Sequence, residues 1–531
     1  MTKIVSSLRP QHVLSRSLSS LADAFDLELN GVEPQSALLD SAVAGITMST
    51  ADVRPGDIFV GLPGRHVHGA RYSSAARDAG AMAVITDEAG LADAEASGLP
   101  VLLAADVRQI LGELAAWVYR SAEDTPLILG VTGTNGKTSV VYLLAALEEQ
   151  LGVKSGLSST AERRIGETAI VSSLTTPEAT ELHALIACMK ESNVEAVAIE
   201  VSAQAVTQHR VDGVFFDVVG FTNLSHDHLD DYASFEQYFA AKAELFTMER
   251  AGRGVVVIDT PWGAELASRA KIPITTLATE STLATDSTLA ADWRATITYE
   301  TARSTSFILT SPTGERVTVK VPLLGSFMAA NAALAIVMLV EAGHALSDIT
   351  HALDRDDGIS VFIPGRAEIV SGPTGPTFYV DYGHTPDAFV SILSSLRRVT
   401  TGKVIMLFGA DGDRDTTKRA SMGAIAARGS DVVVITDFHP RTEDPAAIRA
   451  ELVAGARGAN ASSSLFEVAD PGEAVRFALS LAGEGDAILY AGPGHENYRE
   501  VAGAHLDYDA RADVRNALRD AGWMESTVNH D

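Results

Sequence analysis

The sequence predicts an α/β protein of roughly three domains built on largely parallel sheets. Three observations carry this. At 531 residues the chain is too long for one hydrophobic core and suits units of about 100–200 residues. Apolar strand-like runs alternate with helical patterns along most of its length. One such run feeds a glycine-rich turn that opens a helix, the arrangement by which α/β folds present backbone N–H groups to phosphate.

The clearest strands are Leu127–Val131, Val194–Val201, Val218–Thr222, Gly254–Asp259, Val404–Gly409, Val432–Thr436 and Ala487–Ala491. The polar stretch Ser121–Pro126 marks a first boundary, and Ile363-Pro364-Gly365-Arg366, where a helical segment gives way to strands, marks a second. The expected units are residues 1–123, 124–362 and 363–531. Between Thr276 and Ala290 the chain stutters as TLATESTLATDSTLA, a low-complexity stretch expected to be a surface insertion. Alternation over Thr296–Lys320 around Pro312-Thr313-Gly314 predicts a β-hairpin.

With 41 basic and 69 acidic residues the formal charge is -28. Such a chain repels nucleic acid and anionic membranes, so neither is expected as a partner. Small anionic substrates are not excluded, because a local cluster overrides the global field. The single cysteine, Cys188, allows no internal disulfide and fits a reducing compartment. It shares helical spacing with Leu182, Leu185, Ile186 and Met189, which predicts a core position. The amino terminus carries no apolar signal-peptide stretch, and no run of about 20 apolar residues suggests a membrane span. The expected location is the cytoplasm, without membrane insertion.

The strongest local signal is Gly130-Val131-Thr132-Gly133-Thr134-Asn135-Gly136-Lys137-Thr138. It follows an apolar strand and opens a helix with Val140, Leu143, Leu144 and Leu147 on one face. Backbone N–H groups and the positive end of the helix dipole then face phosphate oxygens, Lys137 adds a charge and Thr138 a hydroxyl for Mg²⁺. The strict G-x-x-x-x-G-K-[ST] pattern fails because Val131 occupies its first glycine. Taken alone, the loop indicates nucleotide phosphates and no more.

Two further segments point to the same chemistry. Glu200 closes the strand VEAVAIE, where a carboxylate holds Mg²⁺ directly or through water; a solvated strand end is the plainer alternative. Thr222-Asn223-Leu224-Ser225-His226-Asp227-His228-Leu229-Asp230 also follows a strand, and its His and Asp residues either meet a metal or cap the next helix. Lys242, in Tyr238-Phe239-Ala240-Ala241-Lys242-Ala243-Glu244-Leu245-Phe246, lies at a helix–core margin and by default snorkels to solvent.

GVTGTNGKT, EVS, TNLSHDHLD and AAKAELF, in this order, resemble the central domain of the Mur ligases, of the UDP-N-acetylmuramyl-tripeptide synthetase type. The resemblance continues through IPGRAE, VDYGHTPDA, FGADGDRDTTKR, HPRTEDP and AGPGHE and covers about residues 40 to 500. It implies an amino-terminal UDP-sugar domain, a central P-loop ATPase and a Rossmann-like carboxyl-terminal domain for the incoming amino acid. The activity implied is ATP-dependent addition of the third amino acid, a diamino acid, to UDP-MurNAc-L-Ala-D-Glu through an acyl phosphate. The substrates are small molecules handled by a monomer, with two Mg²⁺ ions and a CO₂-derived carbamate on Lys242.

By the same resemblance Gly133, Thr134, Asn135, Gly136, Lys137, Thr138 and Ser139 cradle ATP, with Asn331, Arg366, Asp381 and His384 completing its site. Thr138, Glu200, His228 and carbamoylated Lys242 hold metal, and Lys137, Lys242, His228 and Glu200 carry catalysis. Thr50, Thr175, Thr176, Ser202, Gln208 and Arg210 meet the UDP-sugar peptide. Arg414, His439, Arg441, Gly492 and Glu496 meet the amino acid.

The chain departs from the family pattern in four places. Ser49-Thr50-Ala51 replaces the usual Asp-Ser-Arg, Met328 replaces a common Asn, and Pro493 replaces a lysine. Phe438-His439-Pro440-Arg441 stands where diaminopimelate-adding members carry Asp-Asn-Pro-Arg. Arg441 suits a distal carboxylate, whereas losing the polar pair before it favours lysine or ornithine. The alternatives are a meso-diaminopimelate-adding enzyme, a folylpolyglutamate-synthase-type ligase, or a nucleotide-binding scaffold without turnover. The block VRPGDIFVGLPG argues against the second, and the set Lys137, Glu200, His228 and Lys242 against the third.

Overall fold

The structure is a computed structural model that describes the chain except residues 1–2, 5–7, 13–14, 34, 65, 167, 173, 226–230, 233, 282–289 and 525–531. Its frame is three β-sheets with helices packed on them.

The middle sheet is the largest. At its centre Leu127–Thr132 lies between the parallel strands Ala196–Glu200 and Phe216–Phe221. The parallel set runs outward through Ala251–Val257, Ile274–Ser281 and Trp293–Glu300, then turns antiparallel through Thr305–Thr310 and Arg316–Val321. That last pair is the hairpin expected around Pro312-Thr313-Gly314. On the other flank stand Ser155–Ser158 and the hairpin Glu162–Ile165/Thr168–Val171. Lys3–Ile4 pairs with the edge of this sheet, although the sequence assigns it to the first unit.

The central strands read as unbroken apolar runs because both faces are covered. The helix Lys137–Gln150 packs there beside Ser326–Glu341, whose buried residues from Met328 to Leu339 leave it no polar face. Cys188 is buried in the helix Ala179–Glu191, as its spacing predicts, and burial pushes its thiol up to about 12.

The expectation for the stuttering segment needs correction. Ile274–Ser281 is a strand between two parallel neighbours, with Leu277 and Ala278 buried. β-branched and small residues fit a pleated surface whatever their repetition, so low complexity here did not mean exposure. Residues 282–289 lie outside the described residues.

The first sheet orders Glu28–Asn30, Val101–Leu103, Ala83–Thr86, Asp57–Gly61 and Gly45–Thr47. The third orders Glu368–Ile369, Thr377–Asp381, Ala487–Ala491, Val404–Phe408, Val432–Ile435 and Ser464–Glu467. Both are parallel apart from their first strand. In each parallel sheet the loops beyond the strand carboxyl ends are where α/β folds bind ligands, and in the middle sheet those loops are 133–136, 201–202 and 222–225.

One half-buried ion pair links the helix Lys137–Gln150 to the turn that follows Ser326–Glu341. His344 Nε2 donates to Oε1 of Glu148, whose side chain is 2% exposed, at 3.2 Å. This hydrogen bond holds the His344 imidazolium above the ordinary histidine range, against the opposing effect of burial. A raised folded value means the stabilisation is complete below the ordinary histidine value and fades as pH rises through the folded one. His344→Ala is therefore expected to lower unfolding free energy by about 1–3 kcal/mol at pH 6. In denaturant titrations the gap from wild type should narrow toward pH 9; a pH-independent gap would show that the charge is not what matters.

Candidate active site

The loop after Leu127–Thr132 needs glycine at two points. Gly133 has φ +144°, and a Cβ there would lie 1.9 Å from Thr222 Oγ1; Gly136 has φ +91°, and its Cβ would lie 2.5 Å from Asn331 Oδ1. Neither approach is open to a larger residue. The adjoining segment laces the loop in place. Thr222 Oγ1 and Asn223 Nδ2 both donate to the Asn135 carbonyl (2.7 and 3.0 Å), and Asn135 N donates back to Asn223 Oδ1 (3.0 Å). Lys137 Nζ donates to the Thr134 carbonyl at 2.9 Å and stands 3.9 Å from Glu200 Oε1.

Glu200 is 2% exposed, so the solvated strand end is ruled out. Its Oε2 accepts from Thr138 Oγ1 at 2.9 Å, from Thr160 N at 2.9 Å and from Thr160 Oγ1 at 3.1 Å. Hydroxyl and carboxylate oxygens together at a phosphate loop are the hard donors that suit Mg²⁺. Lys242 does not snorkel: it is 1% exposed, its Nζ donates to the Gly133 carbonyl at 2.7 Å, and it lies 4.4 Å from the Tyr238 ring centre. Its helix turns that side inward, behind the loop. The next helix, Phe235–Ala243, is capped by Ser234, which accepts from Gln237 N. His228 lies outside the described residues.

The third sheet reaches across to this loop. Arg366 Nη2 donates to Thr138 Oγ1 at 2.8 Å, and its guanidinium lies 4.5 Å from the Tyr382 ring centre. His384 Nδ1–H donates to the Tyr382 carbonyl at 2.9 Å. Arg366 and His384 face a cavity of about 550 Å³, as do Thr134, Asn135, Gly136, Lys137, Thr138 and Glu200. Four expected nucleotide contacts are not in its wall. Asp381 accepts from Ala367 N (2.7 Å) and Gly383 N (2.6 Å), so its carboxylate shapes the turn. Asn331 is buried behind Gly136, Ser139 is buried in the helix, and Gly133 turns behind Thr222.

On the expected acceptor side, Thr175, Ser202 and Arg210 line the same cavity. Thr176 is wholly buried; its hydroxyl donates to the Glu200 carbonyl at 2.7 Å and accepts from Ser202 N at 3.0 Å. Gln208 Oε1 accepts from Arg210 Nη2 at 2.6 Å and holds it from behind. Thr50 lies in the short turn Thr50–Asp52 of the first unit, apart from the cavity wall.

Arg414, His439, Arg441, Gly492 and Glu496 line the same cavity. His439 Nδ1 accepts from Glu500 N at 2.8 Å, so the neutral ring carries its proton on Nε2 and donates it to Glu496 Oε2 at 2.8 Å. Phe438 packs on His439 with ring centres 4.0 Å apart. Arg441 Nε stands 3.1 Å from Glu500 Oε2, and its Nη2 is 3.8 Å from Asp411 Oδ1.

Sequence reasoning passed over His495, Tyr382 and Tyr142, all in the cavity wall. His495 and Tyr382 lie inside the motifs AGPGHE and VDYGHTPDA, which was the available signal. Burial, with the charges of Arg366 and Arg511, pushes the His495 imidazole down to about 3, so it is neutral. Tyr142 sits four residues beyond Thr138 on an apolar helix and gave no signal; its buried hydroxyl is held above the ordinary tyrosine range by burial.

Comparison with known proteins accounts for this arrangement. Residues 42–119 match the Mur ligase family catalytic domain, 131–339 the Mur ligase middle domain, and 365–494 the Mur ligase glutamate ligase domain. The chain is 58% identical to a UDP-N-acetylmuramyl-tripeptide synthetase of Leifsonia xyli subsp. xyli, covering 98% of this chain and 99% of that one. It is 41% identical to a UDP-N-acetylmuramoyl-L-alanyl-D-glutamate–2,6-diaminopimelate ligase of Streptomyces coelicolor, over 96% and 98%. A solved structure of such a diaminopimelate ligase superposes with a TM-score of 0.62 at 29% identity, covering 96% of this chain and all of that one. A MurF structure from Acinetobacter baumannii, at 18% identity and TM-score 0.65, shares the fold. The chain belongs to the Mur ligase family: it is a three-domain, ATP-dependent ligase that forms amide bonds.

Proposed function

We propose that the protein adds the third residue, a diamino acid with a single carboxylate such as L-lysine or ornithine, to UDP-MurNAc-L-Ala-D-Glu during peptidoglycan precursor synthesis. The observation that carries this is one continuous cavity. Its wall includes the phosphate loop and Glu200, the His439–Glu496 and Arg441–Glu500 pairs, and Thr175, Ser202 and Arg210.

In this reading a carboxylate oxygen of the acceptor attacks the γ-phosphorus of ATP, ADP leaves, and an acyl phosphate forms. The amine of the diamino acid then attacks the acyl carbon, phosphate leaves and the amine gives up a proton. Lys137 and the loop N–H groups meet the charge spreading over the transferring phosphoryl group. Thr138 and Glu200 are the residues that would hold Mg²⁺, which supplies further charge neutralisation when bound. A carbamate on Lys242 replaces a cation with two oxygen donors, and the burial of Lys242 against Gly133 supports that assignment. The enzyme works as a monomer in the cytoplasm; no described helix is long and apolar enough to cross a membrane.

The amino-acid end of the cavity favours a second ammonium over a second carboxylate. Arg441 already faces Glu500 and Asp411, so a distal carboxylate would compete with two anions for one guanidinium. Glu496 is held by His439 and in this reading offers its charge to a distal ammonium, with Arg414, in the same cavity wall, assigned to the α-carboxylate. The reading with meso-diaminopimelate is favoured by the planar fork of Arg441 and by the relatives named for that substrate.

Phosphate release with ATP, Mg²⁺ and UDP-MurNAc-L-Ala-D-Glu decides between them across lysine, ornithine, diaminobutyrate and meso-diaminopimelate. A monocarboxylic diamino acid should lead meso-diaminopimelate by about tenfold or more in kcat/KM. The reverse order would assign diaminopimelate, and silence with all four would remove the acceptor. Lys242→Ala should lose roughly a hundredfold or more in kcat, with partial recovery in added short carboxylates. Turnover like wild type would remove the carbamate. Glu496→Gln should raise KM for the diamino acid about tenfold with KM for ATP unchanged, because only a charge facing the distal ammonium is lost. An equal rise in both would place Glu496 in the structure and not in recognition.

A further inference from the structure

Glu178 stands between two arginines that come from different units. Its Oε2 accepts from Arg108 Nη1 at 2.6 Å, and its Oε1 lies 3.0 Å from Arg210 Nε. Arg108 belongs to the first turn of the helix Val107–Tyr119, in the amino-terminal unit. Arg210 lines the cavity of the middle unit. Glu178 itself is outside the cavity wall, 17% exposed, in the residue before the helix Ala179–Glu191.

The rest of Arg210 is fixed in the same way from behind. Nη2 donates to Gln208 Oε1 at 2.6 Å and Nη1 to the Thr176 carbonyl at 3.4 Å. The contact of Nε with Glu178 is a charge contact and not an aligned hydrogen bond. Gln208 and the Thr176 carbonyl are neutral, so Glu178 supplies the one formal negative charge in this set. Two guanidiniums sharing a carboxylate this way are held at a set separation; without it they repel across a half-buried gap.

We infer that Glu178 is a positioning residue: it sets the orientation of Arg210 toward the acceptor and ties it to the amino-terminal unit through Arg108. This rests on the proposed function, in which Arg210 meets the UDP-sugar peptide. Its consequence is that Arg108, which is not in the cavity wall, contributes to acceptor binding through Glu178 alone.

The test is steady-state kinetics of Glu178→Gln, Arg108→Met and the double variant, with acceptor and ATP varied separately and melting temperature recorded. Glu178→Gln is expected to raise KM for the acceptor about tenfold, with kcat within about threefold of wild type and KM for ATP unchanged. Arg108→Met should raise acceptor KM about threefold, and in the double variant it should add nothing to Glu178→Gln. Full additivity, or Glu178→Gln kinetics like wild type, would overturn the relay while leaving the proposed function standing. Parallel loss of kcat, both KM values and melting temperature would reduce Glu178 to a structural role and also overturn it. A wild-type protein silent with this acceptor would remove the proposed function and the relay together.

Discussion

The active cavity is organised by one buried carboxylate. Taking Glu200 out of water costs several kcal/mol unless its oxygens are answered. They are answered from three directions: by Thr138 at the start of the phosphate-loop helix, by the backbone and side chain of Thr160 ahead of the flanking hairpin, and by Lys137. Its backbone carbonyl takes a fourth partner, the Thr176 hydroxyl. The position depends on strand order, because Glu200 ends a strand paired in register with both Ser155–Ser158 and Leu127–Thr132, opposite Val131. A shift of one residue would turn this carboxylate to the other face of the sheet and scatter the set.

Charge in the cavity follows a local logic that the overall balance of -28 conceals. Lys137, Arg210, Arg366 and Arg441 all face it, and each is held by a carboxylate, a carbonyl or a hydroxyl. Arg366 donates to the same Thr138 hydroxyl that donates to Glu200, so the third unit is coupled to this buried carboxylate of the second through a single oxygen. An arginine anchored in this way has spent its side-chain entropy before a substrate arrives. The overall charge can therefore be strongly acidic while the cavity wall presents these four cations.

The fold was largely legible in the sequence because parallel strands buried on both faces are unbroken apolar runs. The central strand at 127, the strand ending in Glu200 and the strand 487–491 could all be placed from that alone. The phosphate loop was legible because its glycines answer to backbone geometry. What stayed hidden was orientation. Lys242 read as a marginal lysine because helical spacing gives a face, not what lies against it; here the phosphate loop does. The family resemblance offered Asp381 as a nucleotide contact; in the fold its oxygens accept from two backbone amides. Tyr142 was invisible, since an aromatic residue in an apolar helix reads as core until a cavity is found beside it. The stuttering segment misled in the opposite sense, because composition reports complexity and not burial.

Among the described residues the polar ties between the third unit and the middle one differ in chemistry, beside the apolar packing of Leu324 and Phe327 into the third unit's core. Near the cavity the tie is the single bond from Arg366 to Thr138, with Asn135 Nδ2 3.5 Å from Thr385 Oγ1. Away from it the tie is stronger: Arg398 grips Glu300 through two nitrogens at 2.5 and 2.9 Å, and the Tyr379 hydroxyl donates to the Ala302 carbonyl. A bidentate guanidinium–carboxylate pair is geometrically stiff, whereas one bond to a hydroxyl yields readily to a phosphate oxygen. The firm attachment at Glu300 thus fixes where the third unit is held. The tie at Thr138 is one bond from Arg366 to a hydroxyl and can be given up without loosening the grip at Glu300.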